Sequence, residues 1–277
     1  MAEKSLFGVP IVIGQHGGSY GIAKETFLER HLMEISDKFI SWGWTNIKNE
    51  KKIVPLGILK TFGTQVKHNS NGKLTLIHMA VTRLPYHVWS GINGMNQWKQ
   101  YAEEQYLFAS LLPQNIFKEI NVRLLAADFG TEQKLRWRKR FAEIGLDEGK
   151  KPLLDIYKDS RLIISTYNAT TFLESMSLNI PTVIFWQPNH YEIRNDAIKD
   201  FELLKSVGLF HDSAESAAKF VSQIWENIDD WWFSNEVQIV KDKFCHIYCR
   251  IPSKPIEQMK KILIDTSKSN KKKTINR

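Results

Sequence analysis

The chain has 277 residues, 43% hydrophobic and 25% charged, with 38 basic against 30 acidic side chains and a formal net charge of +8. That length supports one large packed domain, or one domain plus part of another, and the positive charge suits an anionic partner. No apolar run nears the roughly 20 residues of a membrane span, MAEKSLFGVP lacks the apolar core of a signal peptide, and two cysteines are too few for a disulfide framework; a cytoplasmic protein is expected.

In chain order, the first expected element is a buried strand over residues 9–13. GQHGGSYG follows at 14–21, where glycines around His16 permit a tight turn and close approach to a ligand. A histidine between a buried strand and a glycine turn can act as a general base, because its ordinary pKa lies near neutrality. A turn histidine that only packs or caps is the other reading. Gly17, Gly18 and Tyr20 belong to the same loop. Apolar spacing predicts a helix over 25–36, and DKFISWGW (37–44) and IVPLGIL (53–59) predict further extended segments. This alternation indicates an α/β layer arrangement.

The polar stretch 61–73 reads as a linker, and a second sheet is expected to start with a strand over 74–81. The loop after that strand carries Arg83, either an anion contact or a solvated arginine. A helix over 96–112 precedes a strand over 121–126, which contains Arg123 and has Asp128 just beyond its end. The basic helix expected over 135–144 would suit phosphate or nucleic acid, or simply face solvent.

Residues 161–192, RLIISTYNATTFLESMSLNIPTVIFWQPNHYE, then read as strand, polar turn, short helix and strand. The turn runs through Thr166, Tyr167, Asn168, Ala169, Thr170 and Thr171. The first backbone N–H groups of the following helix lack partners and carry partial positive charge, so a phosphate or carboxylate can settle there. Glu174, one turn further in, can accept hydrogen bonds from two sugar hydroxyls. A plain cap at Thr170 or Asn168 with a solvated Glu174 is the alternative.

Beyond it come a helix over 195–207 ended by Gly208, a short strand at 209–211, a helix capped by Ser213 or Ser216, and terminal helices reaching residue 250. Cys245 and Cys249 lie four apart and are expected to be free thiols. Residues 265–277, which include KSNKKKTINR, are expected to form a disordered basic tail, either solvated or making weak contact with an anionic membrane surface.

The phosphate-loop, G-x-G-x-x-G, H-E-x-x-H and G-x-S-x-G motifs are all missing, as is any Asp-x-Asp pair. No metal and no cofactor is expected, which leaves helix N-termini and basic side chains to hold phosphate. GQHGGSYG, DKFISWGW, VPLGILK, STYNATTFLES and NIPTVIFWQPNHYEIRNDA together resemble a family of bacterial surface-carbohydrate transferases, similar in turn to GT-B glycosyltransferases such as the capsule Kdo transferases. The resemblance covers residues 9–250. It implies a GT-B-like α/β fold, with a complete Rossmann-like donor-binding domain over 74–264 and, in residues 1–60, the last part of an acceptor-side domain. On that basis the chain is expected to be a truncated fragment or half of a split enzyme. The resemblance further implies that the turn from Thr166 to Thr171 holds the donor phosphate and Glu174 the donor ribose. His16 would be the base, with Asn189 and Glu192 lining the cleft.

The implied partners are a nucleotide-sugar donor and a glycan or lipid-linked acceptor in surface-polysaccharide assembly (O-antigen, capsule or lipopolysaccharide). No specific nucleic acid is expected. A nucleotide-sugar epimerase and a non-catalytic remnant or partner module are the alternatives.

Overall fold

The computed structural model describes residues 3, 6–26, 28–45, 51–82, 84 and 89–275, with side chains through residue 269. Two parallel sheets follow one another along the chain. The first contains β1 (Val12–Gly14), β2 (Lys38–Ser41) and β3 (Ile53–Pro55) in that order, with helix α1 (Glu29–Ile35) joining β1 to β2. Val12 lies opposite Lys38, and Phe39 opposite Ile53.

The second sheet is built from β4 (Lys73–Ile77), β5 (Ile120–Arg123), β6 (Gly145–Asp147), β7 (Ser160–Ser165), β8 (Thr182–Phe185) and β9 (Phe210–His211). Its spatial order is β6-β5-β4-β7-β8-β9, with every pair parallel. The chain starts in the middle at β4, builds outward to β6, then returns beside β4 as β7 and builds the other way. This is a doubly wound sheet, and its winding reverses between β4 and β7. Helices on its faces leave the central strands no solvated side, so they read as unbroken apolar runs. Leu74, Leu76, Leu162, Ile163, Ile164, Val183 and Ile184 are all fully buried.

The remaining helices are α2 (Met95–Leu111), α3 (Gln114–Phe117), α4 (Gln133–Arg140), α5 (Leu153–Asp159), α6 (Thr170–Ser177), α7 (Asn195–Ser206), α8 (Ala214–Ile224), α9 (Ile228–Trp232), α10 (Asn235–Tyr248) and α11 (Pro255–Ile275). Helix α2 packs on α8, and α10 packs on α6 and α7. Cys249, just past α10, is buried, and both cysteines are free.

Several boundaries differ from the sequence expectations. Strand β1 begins at Val12, and Val9, expected inside it, is exposed. Strand β6 has only three residues, too short to show an alternation, and α5 was not foreseen as a helix. Residues 61–72 are irregular yet tied down, and Lys73, expected in the linker, already belongs to β4: the Thr61 hydroxyl accepts a hydrogen bond from Ser177, and the His68 ring bridges the Arg161 carbonyl and Asp229. The expected disordered tail is corrected as well, since α11 continues to Ile275. No Gly or Pro interrupts residues 256–275, and lysine is a good helix former.

Candidate active site

Strand β1 ends at Gly14, and the next residue fixes the loop that follows. Gln15 is buried. Its amide nitrogen donates to the Gly17 carbonyl at 2.7 Å, and its oxygen accepts from the Trp42 backbone at 3.0 Å and from the Trp44 indole at 2.7 Å. The clamp leaves His16 exposed on the loop. Tyr20 lies beneath it, edge-on, with its hydroxyl 3.4 Å from His16 Nδ1. Burial, and secondarily the Glu29 charge, push the Tyr20 phenol up to about 12, so it stays protonated.

Gly18 brings this loop onto the second sheet. Its N–H donates to Thr170 Oγ1 at 3.1 Å. A Cβ at position 18 would lie 2.5 Å from both the carbonyl carbon and oxygen of Ala169, main-chain atoms that cannot move aside. Only glycine permits this contact, and it seats the His16 loop on the N-terminus of α6, beyond the carboxyl end of β7. In a doubly wound sheet that end, at the winding reversal, is where ligands bind.

The turn residues divide by what their side chains already do. The Thr166 hydroxyl donates to the Ile77 carbonyl at 2.8 Å and pairs with the Tyr101 hydroxyl at 2.6 Å, stitching β7 to β4. Tyr167 and Thr171 share a hydroxyl pair at 2.9 Å. Thr170 accepts from Gly18 and keeps its own hydroxyl proton for another acceptor. Asn168 is 1% exposed, and neither atom of its amide has a hydrogen-bond partner among the described residues.

Glu174 is buried on α6, its side chain 3% exposed. Lys60 Nζ lies 2.7 Å from its Oε1, an ion pair by distance that lacks hydrogen-bond alignment, since Oε1 has no hydrogen-bond partner among the described residues. The Tyr157 hydroxyl donates to the Thr171 carbonyl at 3.0 Å and lies 3.3 Å from Glu174 Oε2. Burial first, then the Glu174 charge, raise the Tyr157 phenol well above its ordinary pKa, so it serves as a donor. A cavity of about 470 Å³ adjoins the Lys60 side of the ion pair, lined by Gln15, His16, Lys60, Thr170, Met259 and Leu263 among others, with Glu174 itself outside its wall.

The other sequence candidates separate clearly. Gly17 and Tyr20 belong to the His16 loop. Arg123, at the end of β5, pairs with Asp147 and donates to the Lys151 carbonyl. Asp128 accepts from the Glu132 and Gln133 N–H groups at 2.8 Å, anchoring the start of α4. Burial tends to raise its carboxyl pKa, but these donors outweigh that and hold it below its ordinary value. Asn189 is exposed in the turn after β8, and Glu192 pairs with Lys24 at 3.0 Å. Arg83 lies outside the described residues. Sequence reasoning missed Gln15, Lys60 and the α11 residues Met259 and Leu263. The Trp residues near position 44 hinted that a polar partner must be close, because a buried indole N–H seeks an acceptor.

A second junction holds the loop. Ala23 and Ile193 form an antiparallel bridge, and the Arg194 N–H donates to the Ile22 carbonyl at 2.9 Å. Arg194 Nη2 pairs with the buried Glu29 carboxylate at 2.7 Å, and Glu29 also accepts from the Gly21 N–H at 2.9 Å. Among the described residues no helix is long and apolar enough to cross a membrane, and no three His, Cys, Asp or Glu side chains gather as a metal site.

No curated protein matches the chain. Among solved structures, the wall teichoic acid polymerase TagF is similar at 12% identity and a TM-score of 0.45, over 96% of this chain and 67% of its own. WaaG, a glycosyltransferase involved in lipopolysaccharide biosynthesis, is similar at 10% identity and a TM-score of 0.45, over 84% of this chain and 67% of its own. The chain thus spans about two thirds of the length of these structures. The description of the LIC12162 family of transferases matches residues 1–263, nearly the whole length, and the chain belongs to that family.

Proposed function

We propose that this transferase moves a sugar from a nucleotide-activated donor to a glycan or lipid-linked acceptor, in cytoplasmic assembly of surface polysaccharide, with its two sheets arranged as the two sides of a GT-B-type cleft. In this reading residues 1–60 supply the acceptor side and 74–264 the donor side. The observation that carries it is the seating of the His16 loop on α6 through Gly18 and Thr170. That contact joins the loop of the exposed His16 to the N-terminus of α6, whose free N–H groups suit an anion, with a buried carboxylate one turn further on. The cavity volume falls in the range of small-molecule sites.

The chemistry follows from these positions. The acceptor hydroxyl oxygen forms a bond to the anomeric carbon of the donor while its proton passes to His16. The bond from that carbon to the donor phosphate oxygen breaks, and the negative charge left on the phosphate is met by the unpaired N–H groups opening α6. Glu174 accepts hydrogen bonds from the ribose hydroxyls and so fixes the nucleotide along the helix.

The test is thermal unfolding with CMP, UDP, GDP and dTDP and with their sugar conjugates. One of these nucleotides raises the melting temperature, and Glu174→Ala abolishes the rise. If none shifts it, donor binding by this chain is refuted. His16→Ala is expected to keep the shift and to lose roughly 10²-fold or more in transfer rate, the scale of a lost general base.

A further inference from the structure

Resting on that donor-site reading, we infer that Lys60 is a phosphate-binding residue of the site, parked on Glu174 until a nucleotide arrives. The ion pair is unequal. The Glu174 side chain is buried and fixed on α6, whereas that of Lys60 is 64% exposed and stands on the segment that leaves the first sheet. A buried carboxylate without a counter-ion is strongly disfavoured, so with no ligand bound a cation must sit near Oε1, and Lys60 does. Oε1 nevertheless lacks an aligned donor. Two ribose hydroxyls donating to the carboxylate would supply the hydrogen bonds that Lys60 does not make, and would release the ammonium.

The released ammonium has an anion within its reach. Lys60 lines the same cavity as Thr170 and His16. From Thr170 to Glu174 the helix rises about 6 Å at 1.5 Å per residue, so a nucleotide with its ribose on Glu174 lays its phosphates back towards the helix N-terminus, along the wall that Lys60 occupies. A flexible ammonium with three donors suits a phosphate as a point charge. A nucleoside diphosphate therefore satisfies both partners of the pair at once, and a nucleoside satisfies only Glu174. The site thereby favours phosphorylated ligands over their nucleosides, and an empty site carries no unpaired buried charge.

The experiment compares binding of CDP, UDP and GDP with that of cytidine, uridine and guanosine, by ligand-observed NMR competition on the full chain. Lys60→Met should weaken the preferred diphosphate about tenfold or more, the scale of one charge-assisted hydrogen bond, and leave the matching nucleoside unchanged or slightly tighter. Lys60→Arg should retain most of the diphosphate affinity. Because Lys60→Met leaves Glu174 without its cation, the same comparison is repeated in a Glu174→Gln background, where folding no longer needs the pair. There too the second substitution should cost diphosphate affinity. If Lys60→Met lowers nucleoside and diphosphate alike, or neither, Lys60 is only a structural counter-ion and the inference fails while the donor site stands. If the unmodified chain binds no nucleotide at all, the inference and the donor site fall together.

Discussion

His78 stands just past the end of β4, where the winding of the second sheet reverses, and is 3% exposed. Tyr101 and Trp137 pack edge-on against its ring, and Nδ1 lies 2.8 Å from the Met79 carbonyl. Burial lowers its pKa to about 4, only partly opposed by that carbonyl and by Gln133. In the unfolded chain a histidine titrates near 6.5. Between those values the unfolded state binds the extra proton and the folded state does not, so stability is full above about 6.5 and is lost as the pH falls towards 4. The loss amounts to about 3 kcal/mol. Urea unfolding from pH 7.5 to 4 is expected to show a steeper decline for the unmodified protein than for His78→Asn, whose amide can replace the Nδ1 donor; parallel curves would contradict the assignment. At this scale the sequence was partly legible. His16 stood out because glycines flank it after a strand, whereas the tie between Lys60 and Glu174 joins segments far apart in the chain and leaves no periodic trace.

Asp128 shows how an element claims a residue that composition offers to a ligand. A carboxylate just beyond a strand end reads equally as a cleft residue and as a helix anchor, and only the backbone path of residues 129–133 decides. Phe129 and Glu132 take positive φ values of 52° and 54°, folding the chain back so that the Glu132 and Gln133 N–H groups face Asp128. Asp128→Ala is thus expected to cost about 1 kcal/mol, as for a lost helix cap, with nucleotide affinity unchanged; a weaker Kd at unaltered melting temperature would return Asp128 to the cleft. The choice between Ser213 and Ser216 was resolved in the same way. Ser213 accepts from the Ser216 N–H and caps α8, while the Ser216 hydroxyl pairs with His211 at 2.8 Å. Helices with clear apolar spacing and the buried strands were readable because their periods differ. Strand β6, three residues long, and α11, whose lysines looked like an unstructured tail, were not.

Across the whole molecule, the first sheet is tied to the second through main-chain contacts at Gly18 and Ala23 and through ion pairs that include Lys24 with Glu192, Lys60 with Glu174 and the partly buried Glu29 with Arg194. Glu29 holds both the Gly21 N–H and Arg194, and the Arg194 guanidinium also lies over the Trp44 ring. Removing one partner of such a pair leaves the other charge uncompensated. Arg194→Met is expected to destabilise the protein by about 3 kcal/mol in urea unfolding, and Arg194→Met combined with Glu29→Gln to recover much of it. If the single and double variants unfold alike, the pair does not hold the sheets together. The α/β class and the two successive sheets were visible in the sequence because strand and helix signals alternate. Their junction was not, because it depends on main-chain approach at Gly18 and Ala23 and not on residue type alone.

The missing Cβ at Gly18 also bears on inheritance. Residues 61–73 look like the natural place to exchange halves between related chains. Yet a crossover there would part the His16 loop from the Ala169 backbone against which it fits with no room to spare. A chimera that replaces only one of the two stretches is expected to fold only where the incoming half keeps a glycine at position 18, because any larger residue would meet the Ala169 main chain.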